Sequence, residues 1–85
     1  MTREDVLKTV KEIINDNLGI ALEDIKEDSN IIDDLNADDL DCVELVIAVE
    51  EQYGIQISED DAQRFTTVGE IVDYLMKRMF PDSAT

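Results

Sequence analysis

Apolar residues recur at helical spacing in the first part of the chain, between Thr2 and Gly19. They form one stripe along a helix, at Val6, Leu7, Val10, Ile13, Ile14 and Leu18. Thr2 is a residue type that caps helix N-termini, and Glu4 and Asp5 place negative charge in the first turn, where the helix dipole favours it. Gly19 suits the left-handed conformation that closes a helix. The pattern predicts a first helix that starts at Thr2 and ends before Gly19.

A second helix and a short third helix are predicted in the middle of the chain. The second runs from Asp38 to Tyr53 and stops at Gly54, with Asp38 as its N-cap. The short third helix starts after Ser58, and Asp60 and Asp61 lie early in it.

A fourth helix opens at Thr67, because Thr67-Val68-Gly69-Glu70 fits the Thr-x-x-Glu capping box. It ends near Phe80-Pro81, and its apolar stripe comprises Val68, Ile71, Val72, Leu75, Met76 and Met79. The alternating stretch at residues 55–57 is too short to predict a strand.

Residues 20–37 form a long connection with scattered apolar anchors, in which Asn30 could cap a short turn running to Leu35. Loops this long inside small domains are usually functional or partly structured. Together the elements predict an all-α fold, a bundle of three long helices plus one short helix. Residues 1–80 are expected to form a single domain, and 81–85 a short C-terminal tail.

The second helix carries two apolar stripes, whereas a helix in a small bundle needs only one to face the core. One stripe comprises Cys42, Leu45, Val46, Val49 and Tyr53, and the other comprises Leu40, Val43 and Ile47. The second stripe is either covered by the 20–37 connection or left exposed. Acidic residues flank it, so we favour an exposed patch that docks a basic, partly apolar surface.

Net charge supports the docking interpretation. The chain of 85 residues has 22 Asp and Glu against 7 Lys and Arg, a formal charge of -15. No basic residue lies between Lys26 and Arg64. Nucleic acids and anionic membranes would repel such a chain, whereas basic protein surfaces would attract it. Without an apolar run of membrane-spanning length or a signal-peptide pattern at the N-terminus, we expect a soluble cytoplasmic protein that is monomeric.

Several kinds of chemistry are missing from the sequence. There is no histidine and only one cysteine, which excludes a structural zinc site and the usual general base. The Asp34 to Asp38 segment has oxygens at three EF-hand positions, but Asp39 replaces the required Gly and Leu45 the required Glu. We therefore predict no enzyme activity, no catalytic residues and no bound metal.

The segment Leu35-Asn36-Ala37-Asp38-Asp39-Leu40-Asp41-Cys42-Val43-Glu44-Leu45-Val46-Ile47-Ala48-Val49-Glu50-Glu51-Gln52-Tyr53 closely resembles the region around the prosthetic-group site of acyl carrier proteins. Ile55-Gln56-Ile57-Ser58, Thr66-Thr67-Val68 and Asp73-Tyr74-Leu75 extend the resemblance, which covers nearly the whole chain. It implies a four-helix carrier that holds acyl chains on a 4′-phosphopantetheine arm and presents them to fatty-acid or polyketide enzymes.

The resemblance also implies specific roles for residues of this chain. The expected partners are basic surfaces of fatty-acid or polyketide synthesis enzymes, or of a regulated partner protein. The implied docking residues are Asp38, Leu40, Asp41, Val43, Glu44, Ile47, Glu50 and Glu51. The implied lining of an acyl pocket includes Leu45, Val49, Ile57, Phe65 and Ile71.

The chain departs from the family pattern at Asp39, which stands where the arm-bearing serine of an Asp-Ser-Leu motif is expected. A carboxylate has no hydroxyl to attack the pyrophosphate of coenzyme A, so no phosphopantetheine cofactor is expected. Natural loss of carrier chemistry and deliberate substitution would both explain Asp39. Ser29 and Cys42 are weak substitutes as attachment points, and Asn36 stands where the family often has Gly.

Overall fold

Helices account for the regular structure of this protein in a computed structural model that describes residues 2–80. They are α1 (Arg3–Leu18), α2 (Asp39–Tyr53), the short α3 (Glu59–Ala62) and α4 (Val68–Met79). Over that range no strand forms, and Asn30 and Thr67 make an isolated antiparallel bridge. The predicted all-α fold of three long helices and one short helix is confirmed. The predicted C-terminal tail, 81–85, lies outside the described residues.

Side chains cap the N-termini of the predicted helices, and glycines end two of them. Thr2, Asp38 and Thr67 each form a complete capping box with the residue three positions later. The Ser58 hydroxyl accepts a hydrogen bond from the backbone N–H of Asp61 and begins α3. α1 and α2 end at Gly19 and Gly54, with positive φ angles of 70° and 65°. The helix ends therefore follow from local sequence signals.

α1 packs against α2 and α4, and their facing apolar stripes make the core. The connection between α1 and α2 completes this core with Ile25, Ile31, Leu35 and Ala37, all of them buried. Fully burying a side chain such as Ile25 or Leu35 stabilises the fold by about 1.5–3 kcal/mol. The connection therefore contributes to the stability of the core, as the buried faces of the helices do.

Hydrogen bonds attach the connection to the start of α4. The N–H groups of Val68 and Gly69, which are unpaired within a helix at its first turn, donate to the carbonyls of Ser29 and Glu27. A Cβ at Gly69 would lie only 3.0 Å from the Glu27 side chain, which explains the absence of a side chain there. This attachment holds the connection against the start of α4.

Within the connection, the predicted turn at Asn30 is confirmed. The Asn30 side-chain oxygen accepts hydrogen bonds from the N–H groups of Ile32 and Asp33. A short 3-10 helix at Leu22–Asp24 was not predicted, because a three-residue element is too short to show a period.

Arg3 joins three parts of the fold. Its guanidinium contacts Glu27 of the connection at 2.7 Å and Asp73 of α4 at 2.9 Å, and these hydrogen bonds raise the arginine pKa. All three side chains are substantially exposed, so the pairs should be weakened by salt. Across residues 2–80, no helix combines the length and apolar character needed to span a bilayer.

Candidate functional site

The candidate site begins at the N-terminus of α2. Asp39 is the first residue of this helix and is exposed. Its neighbours cap the helix: the Asp38 carboxylate accepts from the Asp41 N–H at 2.8 Å, and the Asp41 carboxylate accepts from the Asp38 N–H at 3.2 Å. Within residues 2–80, the Asp39 carboxylate has neither a hydrogen-bond nor an ion-pair partner. It is therefore free to interact with something outside the chain.

The second apolar stripe of α2 is exposed. Leu40, Val43 and Ile47 are 65%, 55% and 47% exposed, so the connection does not cover them. Ile32, from the connection itself, is 54% exposed and lines the same cavity as Val43 and Ile47. The exposure of Ile32 was not predicted, because it depends on the path that the chain takes through the turn at Asn30.

The acids predicted for docking do not all occupy equivalent positions. Glu44 and Glu51 are exposed on α2. Glu50 is half-buried, and its carboxylate accepts a hydrogen bond of 2.7 Å from the backbone N–H of Ile57. Asp38 and Asp41 bind backbone groups at the helix cap. Among the acids predicted for docking, only Glu44 and Glu51 make no side-chain hydrogen bond to another described residue.

A groove of about 710 Å³ opens beside this face. All five residues that the sequence suggested for an acyl pocket line it: Leu45, Val49, Ile57, Phe65 and Ile71. Asp39 and Cys42 of α2 also line it, as does Glu59 at the start of α3. The groove thus connects the exposed N-terminus of α2 with the interior of the bundle.

The short helix α3 forms one wall of the groove and is held by side chains of α4. The Tyr74 hydroxyl donates to the Asp61 carboxylate at 2.8 Å and accepts from the Arg78 guanidinium at 2.7 Å. Arg78 also donates to the carbonyl of Gln56. The Tyr74 ring meets the Phe65 ring edge-on at 5.1 Å. We call these five residues the Tyr74 cluster; sequence reasoning missed it because its members lie far apart in the chain.

The pKa of Tyr74 is raised, although its contact with Arg78 acts to lower it. Desolvation is the larger cause, and the hydrogen bond to Asp61 adds to it. The hydroxyl therefore remains protonated and can donate to Asp61 throughout the neutral pH range.

Cys42 and Ser29, the two alternative attachment points, lie in different surroundings. Cys42 is half-buried, and its thiol pKa is raised by desolvation and then by Asp39, Asp41 and Asp38. The Ser29 side chain is buried, and its hydroxyl accepts from the Lys26 N–H at 3.0 Å. Neither side chain is exposed at the start of a helix, as that of Asp39 is.

The described residues contain no group of three His, Cys, Asp or Glu side chains arranged to hold a metal ion. The acidic residues are distributed over all four helices and the connection.

Comparison with known proteins defines the class of the chain. Residues 8–75 match a family model described as "Phosphopantetheine attachment site". The chain is 51% identical to the acyl carrier protein of Chlamydia trachomatis serovar D over 69 residues, which is 81% of this chain and 90% of that protein. It is 49% identical to the acyl carrier protein of Chlamydia muridarum over 69 residues, with the same coverage.

These matches define a phosphopantetheine-type carrier. The chain belongs to the acyl carrier protein family, whose members use 4′-phosphopantetheine and are carrier proteins rather than enzymes. The resemblance of the segment from Leu35 to Tyr53 thus led to the correct family.

Proposed function

We propose that the chain is an acyl carrier-type protein of fatty-acid or polyketide biosynthesis that docks onto partner enzymes without a phosphopantetheine arm at Asp39. The single observation that supports it best is the exposed apolar stripe of α2 at Leu40, Val43 and Ile47. The stripe lies on the same helix as the exposed carboxylates of Glu44 and Glu51.

The chemistry of Asp39 does not fit the attachment reaction. Transfer of the arm requires a hydroxyl that attacks the pyrophosphate of coenzyme A and becomes a phosphodiester. The Asp39 side chain ends in a carboxylate, which keeps a negative charge at a helix N-terminus but cannot form that ester. Ser29 is buried and the Cys42 thiol has a raised pKa, so neither is suited to replace it.

The docking face does not depend on an arm. Glu44 and Glu51 are exposed on α2, and they belong to a stretch of the chain, residues 27–63, that contains no Lys or Arg. Opposite charge on a partner would steer it to this face, and the apolar stripe would then exclude water from the contact. A carrier fold with this face and no arm could equally act as an acidic docking or regulatory module, which is the second candidate function.

Mass spectrometry tests the proposal on the attachment point. Asp39→Ser should gain the mass of phosphopantetheine when incubated with a phosphopantetheinyl transferase and coenzyme A, whereas the unchanged chain and the control Asp39→Asn should not. If several transferases leave a folded Asp39→Ser unmodified, Asp39 is not at the attachment position. If the chain purified from its own host carries the arm elsewhere, the arm-less interpretation is wrong.

Charge reversal tests the docking face. Glu44→Lys with Glu51→Lys should weaken binding to a basic fatty-acid or polyketide synthesis enzyme by about tenfold or more at low salt. Glu4→Lys with Glu12→Lys on α1 makes the same change in net charge away from α2 and should have a smaller effect. Equal losses in both pairs would mean that net charge, rather than this face, determines binding.

A further inference from the structure

A shallow pocket on the exposed side of α1 is separate from the docking face of α2 and from the groove. Its lining includes Leu7, Lys8 and Lys11 of α1 and Leu22 of the short 3-10 helix, and its volume is about 370 Å³. Leu22 is 47% exposed, and no described segment covers it. We propose that this pocket is a self-association surface, at which two copies of the chain pair with their α1 helices antiparallel.

The pocket lies on the side of α1 that faces away from the rest of the bundle. Val6, Val10 and Ile14, on the inner side of the helix, are fully buried in the core that α1 forms with α2 and α4. Pairing through the outer side therefore leaves the docking face of each α2 free. Such a dimer presents two docking faces, so it would bind more tightly than one chain to a two-fold symmetric partner whose sites have matching spacing.

The charges of α1 complement themselves when the helix is placed antiparallel to its own copy. Glu4 and Lys11 both line the pocket and lie seven positions apart, about two helical turns. An antiparallel pair centred between residues 7 and 8 sets Glu4 of each copy opposite Lys11 of the other, and the two-fold axis makes this contact twice. The same register sets Leu7 opposite Lys8, whose methylene stem covers it while the ammonium group stays in water.

No ion pair within the described chain competes for these charges. Arg3 makes both of the ion pairs found in residues 2–80, so Glu4, Lys8 and Lys11 have no such partner there. A neighbouring register brings like charges together, because centring the pair on Lys8 sets Lys8 opposite its own copy and Glu4 opposite Glu12. The charge pattern therefore selects one arrangement of the two helices.

Net charge determines when the dimer forms. Each copy carries a formal charge of -15, so two copies repel each other at low salt, and we expect a monomer there. Salt shortens the range of this repulsion from about 30 Å at 0.01 M to about 3 Å at 1 M and does not remove the gain from burying the leucines. Self-association should therefore strengthen with salt, whereas docking of a basic enzyme on α2 should weaken. The inference does not depend on Asp39 or on an arm, so each proposal can fail without the other.

Sedimentation equilibrium of the full chain tests the dimer. At about 0.5 M sodium chloride we expect a monomer–dimer equilibrium with a dissociation constant of roughly 0.1–1 mM, as suits a contact smaller than a standard interface. Leu22→Ala should weaken this dimer about fivefold or more. Leu40→Ala, which makes the same change on the docking face of α2, should alter the dissociation constant less than about twofold.

Two charge reversals test the register. Glu4→Lys and Lys11→Glu each place like charges opposite one another in their own dimers and should weaken them by about tenfold. An equal mixture of the two variants restores both ion pairs in a heterodimer, so it should associate about as tightly as the unchanged chain. Circular dichroism checks that both variants fold.

Three results would overturn the proposal. The first is a chain that remains monomeric at about 0.5 M salt and a concentration of roughly 2 mM, above the expected dissociation constant. The second is a mixture of the two charge variants that associates no more than either variant alone. The third is an equal loss of association from Leu22→Ala and Leu40→Ala, which would assign the contact to α2 or to non-specific association.

Discussion

Replacing Tyr74 with Phe should loosen α3 while leaving the rest of the bundle intact. The substitution removes one hydroxyl and keeps the ring, which packs edge-on against Phe65 and lies 5.7 Å from the Arg78 guanidinium carbon. None of the four residues of α3 is fully buried, so its position depends on contacts of this kind. The change therefore isolates the polar part of the Tyr74 cluster.

The size of the effect follows from the two hydrogen bonds that the hydroxyl makes. Hydrogen bonds to charged groups contribute about 1.5–3 kcal/mol each when well buried. Here Asp61 is half-buried and Arg78 is exposed, so water can replace part of the hydrogen bonding that the Tyr74 hydroxyl provided. We expect a loss of about 1–2 kcal/mol in the free energy of unfolding, and a Tm lower by roughly 5–10 °C.

Tyr53 provides a matched control, because its hydroxyl is buried without a hydrogen-bond partner among the described residues. Tyr53→Phe should leave stability unchanged or slightly raise it, since it removes an unsatisfied polar group. Urea denaturation gives both values, and amide hydrogen exchange at Ala62 and Gln63 reports opening of α3. The reasoning is refuted if Tyr74→Phe costs less than Tyr53→Phe, or if exchange in α3 does not accelerate.

Three further predictions concern backbone strain, thiol reactivity and charge. Asn36 has a φ of +60°, a conformation that a β-branched residue adopts only with strain. Asn36→Val should therefore lower the free energy of unfolding in urea by about 1–2 kcal/mol, and Asn36→Gly should leave it almost unchanged. Equal values for the two variants would argue against strain at this residue. Since the Cys42 pKa is raised, less thiolate is present at pH 8 than in a free cysteine, and iodoacetamide should react more slowly with the folded chain than in urea. Asp39→Asn lowers that pKa and should accelerate the folded reaction; an unchanged rate would exclude an effect of Asp39. Magnesium should raise the Tm above its low-salt value by screening the acids, and no change would contradict a cost of self-repulsion.

Sequence reasoning was most successful where the signal is local. The helix starts at Thr2, Asp38 and Thr67 follow from side chains that bond backbone groups three residues away, and the end of α1 follows from the left-handed backbone that Gly19 allows. The two stripes of α2 also followed from helical spacing, although the sequence left open whether the connection covers the second. That choice depends on where residues 20–37 run, which periodicity does not specify.

Features that depend on contacts across the chain could not be predicted. Arg3 and Asp73 are 70 positions apart, and Tyr74 and Asp61 are 13 apart, so neither pair shows a pattern in the sequence. The close approach of Glu27 to Gly69 could not be predicted from the sequence either, because a glycine near a helix N-terminus does not by itself indicate a neighbouring segment. The contact between Tyr74 and Asp61 holds the α3 wall of the groove, and because it links distant positions the lining could be suggested only by resemblance.

The structural roles of the acids on α2 determine which substitutions can report on docking. Reversing the charge of Glu50 would remove the acceptor for the Ile57 N–H, and reversing Asp38 would remove an N-cap worth about 1 kcal/mol. Either change would disturb the groove or the helix start, and the resulting loss of binding could be mistaken for a lost partner contact. Glu44 and Glu51 carry no such bond in the described chain, so a loss of binding on their reversal can be assigned to the docking face itself.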